Sequence, residues 1–157
     1  MLGDLEGSSV LDLYAGSGAL GIEALSRGAR QAVLVERDRG ALACIHKNIE
    51  TLGIQAECRV LALPVERLTG ERLATFAPFD LAFCDPPWDD LPAALRALPT
   101  LLGSLAPGAR LVLEHPRKLR PELPGFACSD ARHWGDTGVS IFVLDTPDRP
   151  ELDRSAD

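Results

Sequence analysis

Short apolar runs alternate with segments of helical period along most of the chain, and this alternation restricts the fold more than any other feature. Residues 10–13, 32–36, 58–62, 79–84 and 110–114 are apolar through their centres, as strands covered on both faces must be. Between them, residues 39–52 set Leu42, Ile45, Ile49 and Leu52 at three- and four-residue steps, and residues 91–102 do the same with Leu91, Ala94, Leu95, Leu98 and Leu102. Gly53 and Gly103 stand where helix C-caps belong. Strand and helix in strict alternation imply right-handed crossovers and a parallel sheet with helices on both faces, a doubly wound α/β domain. The end breaks the rhythm. Residues 126–134 and 139–144 are β-like runs joined by Gly135-Asp136-Thr137-Gly138, too short for a helical crossover, so the two strands are expected to be antiparallel.

A length of 157 residues suits one domain with a sizeable core. No window approaches the roughly 20 apolar residues of a spanning helix, and 46% hydrophobic residues exclude a disordered chain. The net charge of −7 argues against holding nucleic acid by bulk charge but leaves a local basic patch open. Candidates for such a patch are Arg27, Arg30, Arg37, Arg39, Lys47 and the cluster Arg117-Lys118-Arg120. Cys44, Cys58, Cys84 and Cys128 form no CxxC pair, and His46, His115 and His133 share no metal spacing, so neither disulfides nor a metal is expected. The four thiols read as small core residues in a reducing compartment. With no signal peptide at MLGDLEGSSV, the expected location is cytoplasmic. Residues 145–157 carry five acids, two arginines and no aromatic residue, which predicts a frayed tail behind a domain spanning 1–144.

The first apolar run leads into Asp12-Leu13-Tyr14-Ala15-Gly16-Ser17-Gly18-Ala19-Leu20-Gly21, a literal G-x-G-x-x-G. Its glycines permit a tight turn and close backbone approach to a ligand, while the next helix offers unpaired N–H groups. A plain strand-to-helix turn uses the same residues, so context decides. Glu36 ends the second run twenty residues after Gly16, where a carboxylate can accept from both hydroxyls of a ribose lying across the strand ends. A dinucleotide and S-adenosylmethionine both fit that pattern. An acid at Asp12 repels a pyrophosphate but can hold the ammonium of an amino-acid moiety, which favours the second.

The fourth run ends in Asp85-Pro86-Pro87-Trp88. Two prolines remove two N–H donors, so the loop presents acceptors: the Asp85 carboxylate and the Pro86 carbonyl. With both hydrogens of an exocyclic amine gripped there and the base stacked on Trp88, the nitrogen lone pair can face a sulfonium methyl. This is catalysis by position and electrostatics, without metal or covalent intermediate. Cys84 lies inside an apolar run and reads as a buried thiol rather than a nucleophile.

VLDLYAGSGALGIEALSRGA at 10–29, VLVERDRGAL at 33–42, FDLAFCDPPW at 79–88 and RHWGDTGVSIFVL at 132–144 resemble the RsmD-like family of bacterial small-subunit rRNA guanine-N2 methyltransferases. The resemblance implies a Rossmann-like class I S-adenosylmethionine-dependent methyltransferase fold, with a mostly parallel seven-stranded sheet and a C-terminal antiparallel hairpin. It implies methyl transfer to the N2 amine of a guanine in 16S rRNA, as free rRNA or within the 30S particle, by a monomer. The candidate cofactor set is Asp12, Tyr14, Ala15, Gly16, Ser17, Gly18, Gly21, Glu36, Arg37 and Leu63, and the candidate catalytic set is Asp85, Pro86, Pro87 and Trp88. The target base would be flipped or unpaired, and the turn at Trp134-Gly135-Asp136-Thr137 would border it. Family members carry an arginine- and threonine-bearing segment ahead of the first strand, whereas nine residues precede Val10 here. No acid or amide follows the third run in Arg59-Val60-Leu61-Ala62-Leu63-Pro64, so backbone groups near Leu63 are expected to hold the adenine. An adenine-N6 or cytosine-N4 amino-methyltransferase and a non-catalytic cofactor-binding module are the competing readings.

Overall fold

The computed structural model describes residues 4–145 and contains β1 (Ser9–Leu13), β2 (Gln31–Glu36), β3 (Cys58–Ala62), β4 (Phe79–Cys84), β5 (Leu105–Pro116), β6 (Phe126–Trp134) and β7 (Thr137–Leu144). They form one sheet in the order β3-β2-β1-β4-β5-β7-β6. The first five pair in parallel, and β7 runs antiparallel to both β5 and β6. The chain winds outward from β1 to β3, then returns to place β4 on the other side of β1.

The central strands are apolar throughout because helices cover both faces. On one face, α1 (Ala19–Ser26) and α2 (Arg39–Leu52) bring Ala24, Ile45 and Ile49 against Val10, Leu34, Leu81 and Phe83. On the other, α3 (Gly70–Leu73), α4 (Leu91–Ala97) and a following 3-10 helix bring Leu73, Leu91, Ala94 and Leu101 against Leu11, Val33, Leu111 and Leu113. The second helix ends where expected, with Gly53 at its C-cap, and it begins at an N-cap that was not anticipated: the Asp38 carboxylate accepts from the Ala41 N–H at 2.8 Å. Burying the equivalent of each such Leu or Ile contributes roughly 1.5–3 kcal/mol, so the double coverage is the main stabilising term.

Several expectations change. The helix predicted over 91–102 ends at Ala97 and tightens to a 3-10 helix over Leu98–Ser104, so Gly103 lies within that helix and is no C-cap. Pro99 explains this, because it has no N–H to give to an α-helical carbonyl and its ring crowds the preceding turn. The hairpin turn shortens to Gly135-Asp136, with Thr137 pairing Trp134 and Gly138 pairing His133 inside β7. Strand β5 extends to both sides of 110–114, with an irregular register against β4 between Phe79 and Leu81. Cys58 and Cys84 are buried, but Cys44 and Cys128 are exposed. Cys44 lies one residue before the inward-facing Ile45, off the buried stripe of α2. Leu52, expected on that stripe, is exposed too. The tail lies outside the described residues except for Asp145, whose N–H donates to the Gly125 carbonyl at 2.9 Å.

Candidate active site

Where the winding direction reverses, between β1 and β4, adjacent connections diverge and leave a crevice at the carboxyl ends of the strands. A cavity of about 610 Å³ occupies that position, within the range of roughly 300–1,000 Å³ usual for small-molecule sites. Its lining comes from four strand ends: Tyr14 and Gly16 after β1, Val35 to Asp38 at the tip of β2, Leu63 to Val65 after β3, and Asp85 to Trp88 with Asp90 after β4.

The glycine loop is held by its own chemistry. The Ala15 N–H donates to the Val35 carbonyl at 3.0 Å and the Gly18 N–H to the Ala15 carbonyl at 2.8 Å. The Asn48 amide of α2 donates to the Ser17 carbonyl at 3.0 Å. Gly18 stands at the start of α1 with φ +81°, and a Cβ there would sit 3.0 Å from Leu34 Cδ1. At Gly21 a Cβ would run into the buried Leu34 Cδ2, so the close approach of α1 to β2 there favours glycine. Tyr14 adopts φ +62°, a conformation costly for a residue with a Cβ, and its hydroxyl donates to Glu66 Oε1 at 3.3 Å. Of the ten cofactor candidates, Tyr14, Gly16, Glu36, Arg37 and Leu63 line the cavity. Asp12, Ala15, Gly18 and Gly21 are buried behind it, and Ser17 is exposed on the loop.

Asp12 is 1% exposed, and Oδ2 accepts from the Gly21 N–H at 2.9 Å. Burial pushes its carboxyl up to about 7, the Gly21 N–H opposing and the charges of Asp85 and Glu36 reinforcing. Glu36 ties the loop to β2: Oε2 accepts from the Gly16 N–H at 2.8 Å, and Oε1 from the Arg37 and Asp38 N–H groups at 2.7 and 2.8 Å. The carboxylate therefore sits at the tip of β2 with its orientation fixed by three backbone donors.

After β4, Pro86 is buried while Asp85 and Trp88 are exposed, the indole at 50%. A 3-10 turn over Trp88–Asp90 follows, and Asp90 Oδ2 pairs with Arg37 at 2.8 Å, joining the tips of β2 and β4 across the cavity. Partial burial raises the Asp85 pKa above the ordinary carboxylate range. Cys84 is 1% exposed, and burial pushes its thiol far above neutrality, so it offers no thiolate. His115 is a satisfied core histidine, its Nε2 2.8 Å from Ser140 Oγ and its Nδ1 2.9 Å from the Pro116 carbonyl. His133 is exposed on β6. Among the described residues, no group of three or more His, Cys, Asp or Glu is placed to hold a metal, and no helix is long and apolar enough to cross a membrane.

Sequence reasoning missed Val35, Asp38, Pro64, Val65 and Asp90 as lining residues. Pro64 and Val65 simply continue from Leu63, but no spacing signal links Arg37 to Asp90, 53 positions apart. Their presence settles the charge of the site. Glu36, Asp38, Asp85 and Asp90 face it against one base, Arg37. A pyrophosphate would meet repulsion there, whereas a ligand bearing sulfonium and ammonium charges is attracted. Leu63, Pro64 and Val65 give an apolar wall suited to a planar base.

The Bacillus subtilis protein named "Putative rRNA methyltransferase YlbH" is 35% identical over 142 residues, covering 87% of this chain and 76% of that protein. The Escherichia coli Ribosomal RNA small subunit methyltransferase D is 40% identical over 78 residues, half of this chain and 37% of that one. A solved structure from Streptococcus pyogenes, described as a conserved hypothetical protein, superposes with a TM-score of 0.75 at 31% identity, covering 89% of this chain and 88% of its own. The order of strands and the antiparallel close of the sheet are those of a Rossmann-like methyltransferase fold. With residues 1–143 matching the family described as Conserved hypothetical protein 95, the chain belongs to that family, the one that includes the RsmD methyltransferases.

Proposed function

We propose that this protein transfers methyl from S-adenosylmethionine to the exocyclic N2 amine of a guanine in the 16S rRNA of the small ribosomal subunit. The observation that carries the reading is the acid-lined cavity opening onto Asp85-Pro86-Pro87-Trp88, because one crevice then suits both a cationic methyl donor and an amine. The relatives' names supply the rRNA substrate.

In this reading Glu36 accepts from the ribose hydroxyls, Leu63 and Val65 flank the adenine, and Asp12 lies beneath the loop as counter-charge for the ammonium. Tyr14 and Gly16 shape the floor, while Arg37 braces the opposite wall through Asp90. Bound there, S-adenosylmethionine supplies an electrophilic methyl. Asp85 and the Pro86 carbonyl accept the two N–H bonds of the target amine, and Pro87 stiffens the loop. Trp88 stacks on the base, which must leave its helix to reach the site. The Asp85 carboxylate, held above the usual carboxylate range by burial, then takes the proton that the methylated nitrogen sheds. The protein is taken to work as a cytoplasmic monomer whose methyltransferase domain spans 1–144.

Transfer of tritiated methyl to undermethylated 30S particles tests this. Incorporation into 16S rRNA guanine is expected with the wild-type protein and is lost in Asp85→Ala, which still binds cofactor. Cofactor binding without any transfer, or methyl on adenine or cytosine, would overturn the assignment.

A further inference from the structure

Strand β5 places a second carboxylate beside Asp85. Cys84, the last residue of β4, pairs with Leu113 of β5, so Asp85, the first residue past β4, leaves the sheet alongside Glu114, which is still within β5; neighbouring strands lie about 4.8 Å apart. Side chains alternate along each strand. Cys84 and Leu113 enter the core on one face, while Phe83 and Val112 pack on the other. Glu114, two residues beyond Val112 within β5, returns to that second face where β4 gives way to the Asp85 loop, close enough for the Asp85 charge to act on it. Glu114 is half-buried, and no hydrogen-bond or ion-pair partner holds its side chain among the described residues. Burial, then the Asp85 charge, raises its pKa, with His115 opposing. An unpartnered acid beside the acceptor loop invites a donor from the ligand.

The Watson–Crick edges of the bases differ at this point. Guanine shows N1–H directly beside its N2 amine. Adenine and cytosine show, beside their amines, an unprotonated ring nitrogen, which would repel a carboxylate. Two neighbouring carboxylates therefore match guanine alone. We propose that Glu114 is a specificity-determining residue whose carboxylate accepts from N1–H of the guanine held at Asp85 and Pro86. The inference rests on the guanine-N2 reading above and deepens it.

The test uses 30S particles reconstituted with 16S rRNA that carries either guanine or 2-aminopurine at the nucleotide methylated by the wild-type protein. The analogue keeps the 2-amine but has no N1–H. Loss of one charge-assisted hydrogen bond predicts that wild type prefers guanine by about 10- to 100-fold in kcat/KM. Glu114→Gln offers an amide that both donates and accepts, so the preference shrinks to within about threefold while cofactor Kd stays within about twofold. Differences between the two bases elsewhere on the ring cancel in this ratio of ratios. An unchanged preference in Glu114→Gln overturns the proposal, as does wild type that treats the two bases alike. The wild-type ratio decides alone if the variant fails to bind cofactor. Wild type that binds cofactor but methylates no guanine overturns the methyltransferase reading itself, and this inference with it.

Discussion

Replacing Asp12 by Asn converts a buried carboxylate into a neutral amide, and its consequence is a change in how stability depends on pH. Burial pushes the folded-state pKa to about 7 from an ordinary 3.8. A shift of about three units corresponds to roughly 4 kcal/mol. Because the folded value is the higher one, that stabilisation is fully present below the unfolded pKa and is lost as pH rises through about 7. From pH 8 down to pH 5 the wild-type protein should therefore gain about 2.5 kcal/mol from this residue, or about 8 °C in Tm for a domain of this size. Asp12→Asn removes that slope. The readout is the difference in Tm between the two proteins, followed by circular dichroism from pH 5 to 8 at fixed ionic strength. Carboxylates that do not interact with Asp12 contribute equally to both proteins and drop out of the difference, whereas the couplings of Asp12 to Asp85 and Glu36 are part of what the substitution removes. A Tm difference that stays constant across this range would mean that Asp12 does not titrate near 7 in the folded protein. The variant should also bind S-adenosylmethionine at least about tenfold more weakly, since the counter-charge beneath the ammonium is gone.

Three further outcomes follow from the same geometry. Glu36→Ala strips an acceptor from the Gly16, Arg37 and Asp38 N–H groups; calorimetric titration should show cofactor affinity lowered at least about tenfold, with a stability loss of about 1–2 kcal/mol. Trp88→Ala removes a half-exposed stacking surface, and steady-state kinetics on 30S particles should show KM for RNA raised by about tenfold, a stacked base being worth about 1–3 kcal/mol. Iodoacetamide at pH 8 followed by peptide mass spectrometry should label Cys44 and Cys128 but spare Cys58 and Cys84, because both of the latter are buried and burial raises their pKa, that of Cys58 to about 11.

What the sequence showed and what it hid follow from the range of each interaction. The parallel core was legible because strands covered on both faces must be apolar along their length, and 58–62 and 79–84 were bounded to the residue. The second helix was equally clear, since the spacing of Leu42, Ile45 and Ile49 and the closing Gly53 are local signals, although its Asp38 N-cap went unread and Leu52 is exposed. Pro99 carried a local signal too, but the apolar repeat at Leu98 and Leu102 masked it, because three- and four-residue steps suit a 3-10 continuation almost as well. Among site residues, those announced by a turn or a strand end were found: Gly16, Glu36 and the Asp85 loop. Asp90 was not, because it matters through a pair formed across the crevice with Arg37; nor was Glu114, whose proposed role depends on register with a neighbouring strand. Both depend on long-range pairing that the sequence does not print. The burial of Asp12 followed from its position in β1, but its bond to Gly21 required the packing of α1 on Leu34.

The central claim is that this crevice methylates the N2 amine of one guanine in 16S rRNA with Asp85 as the gripping acceptor. Nucleoside-resolved mass spectrometry of 16S rRNA tests it most directly, comparing cells that lack the gene with the same cells complemented by wild type or Asp85→Asn. One N2-methylguanosine should be absent without the gene, restored by wild type and not restored by the variant. An identical set of N2-methylguanosines in all three, or a gene-dependent methyl on adenine or cytosine instead, would contradict it.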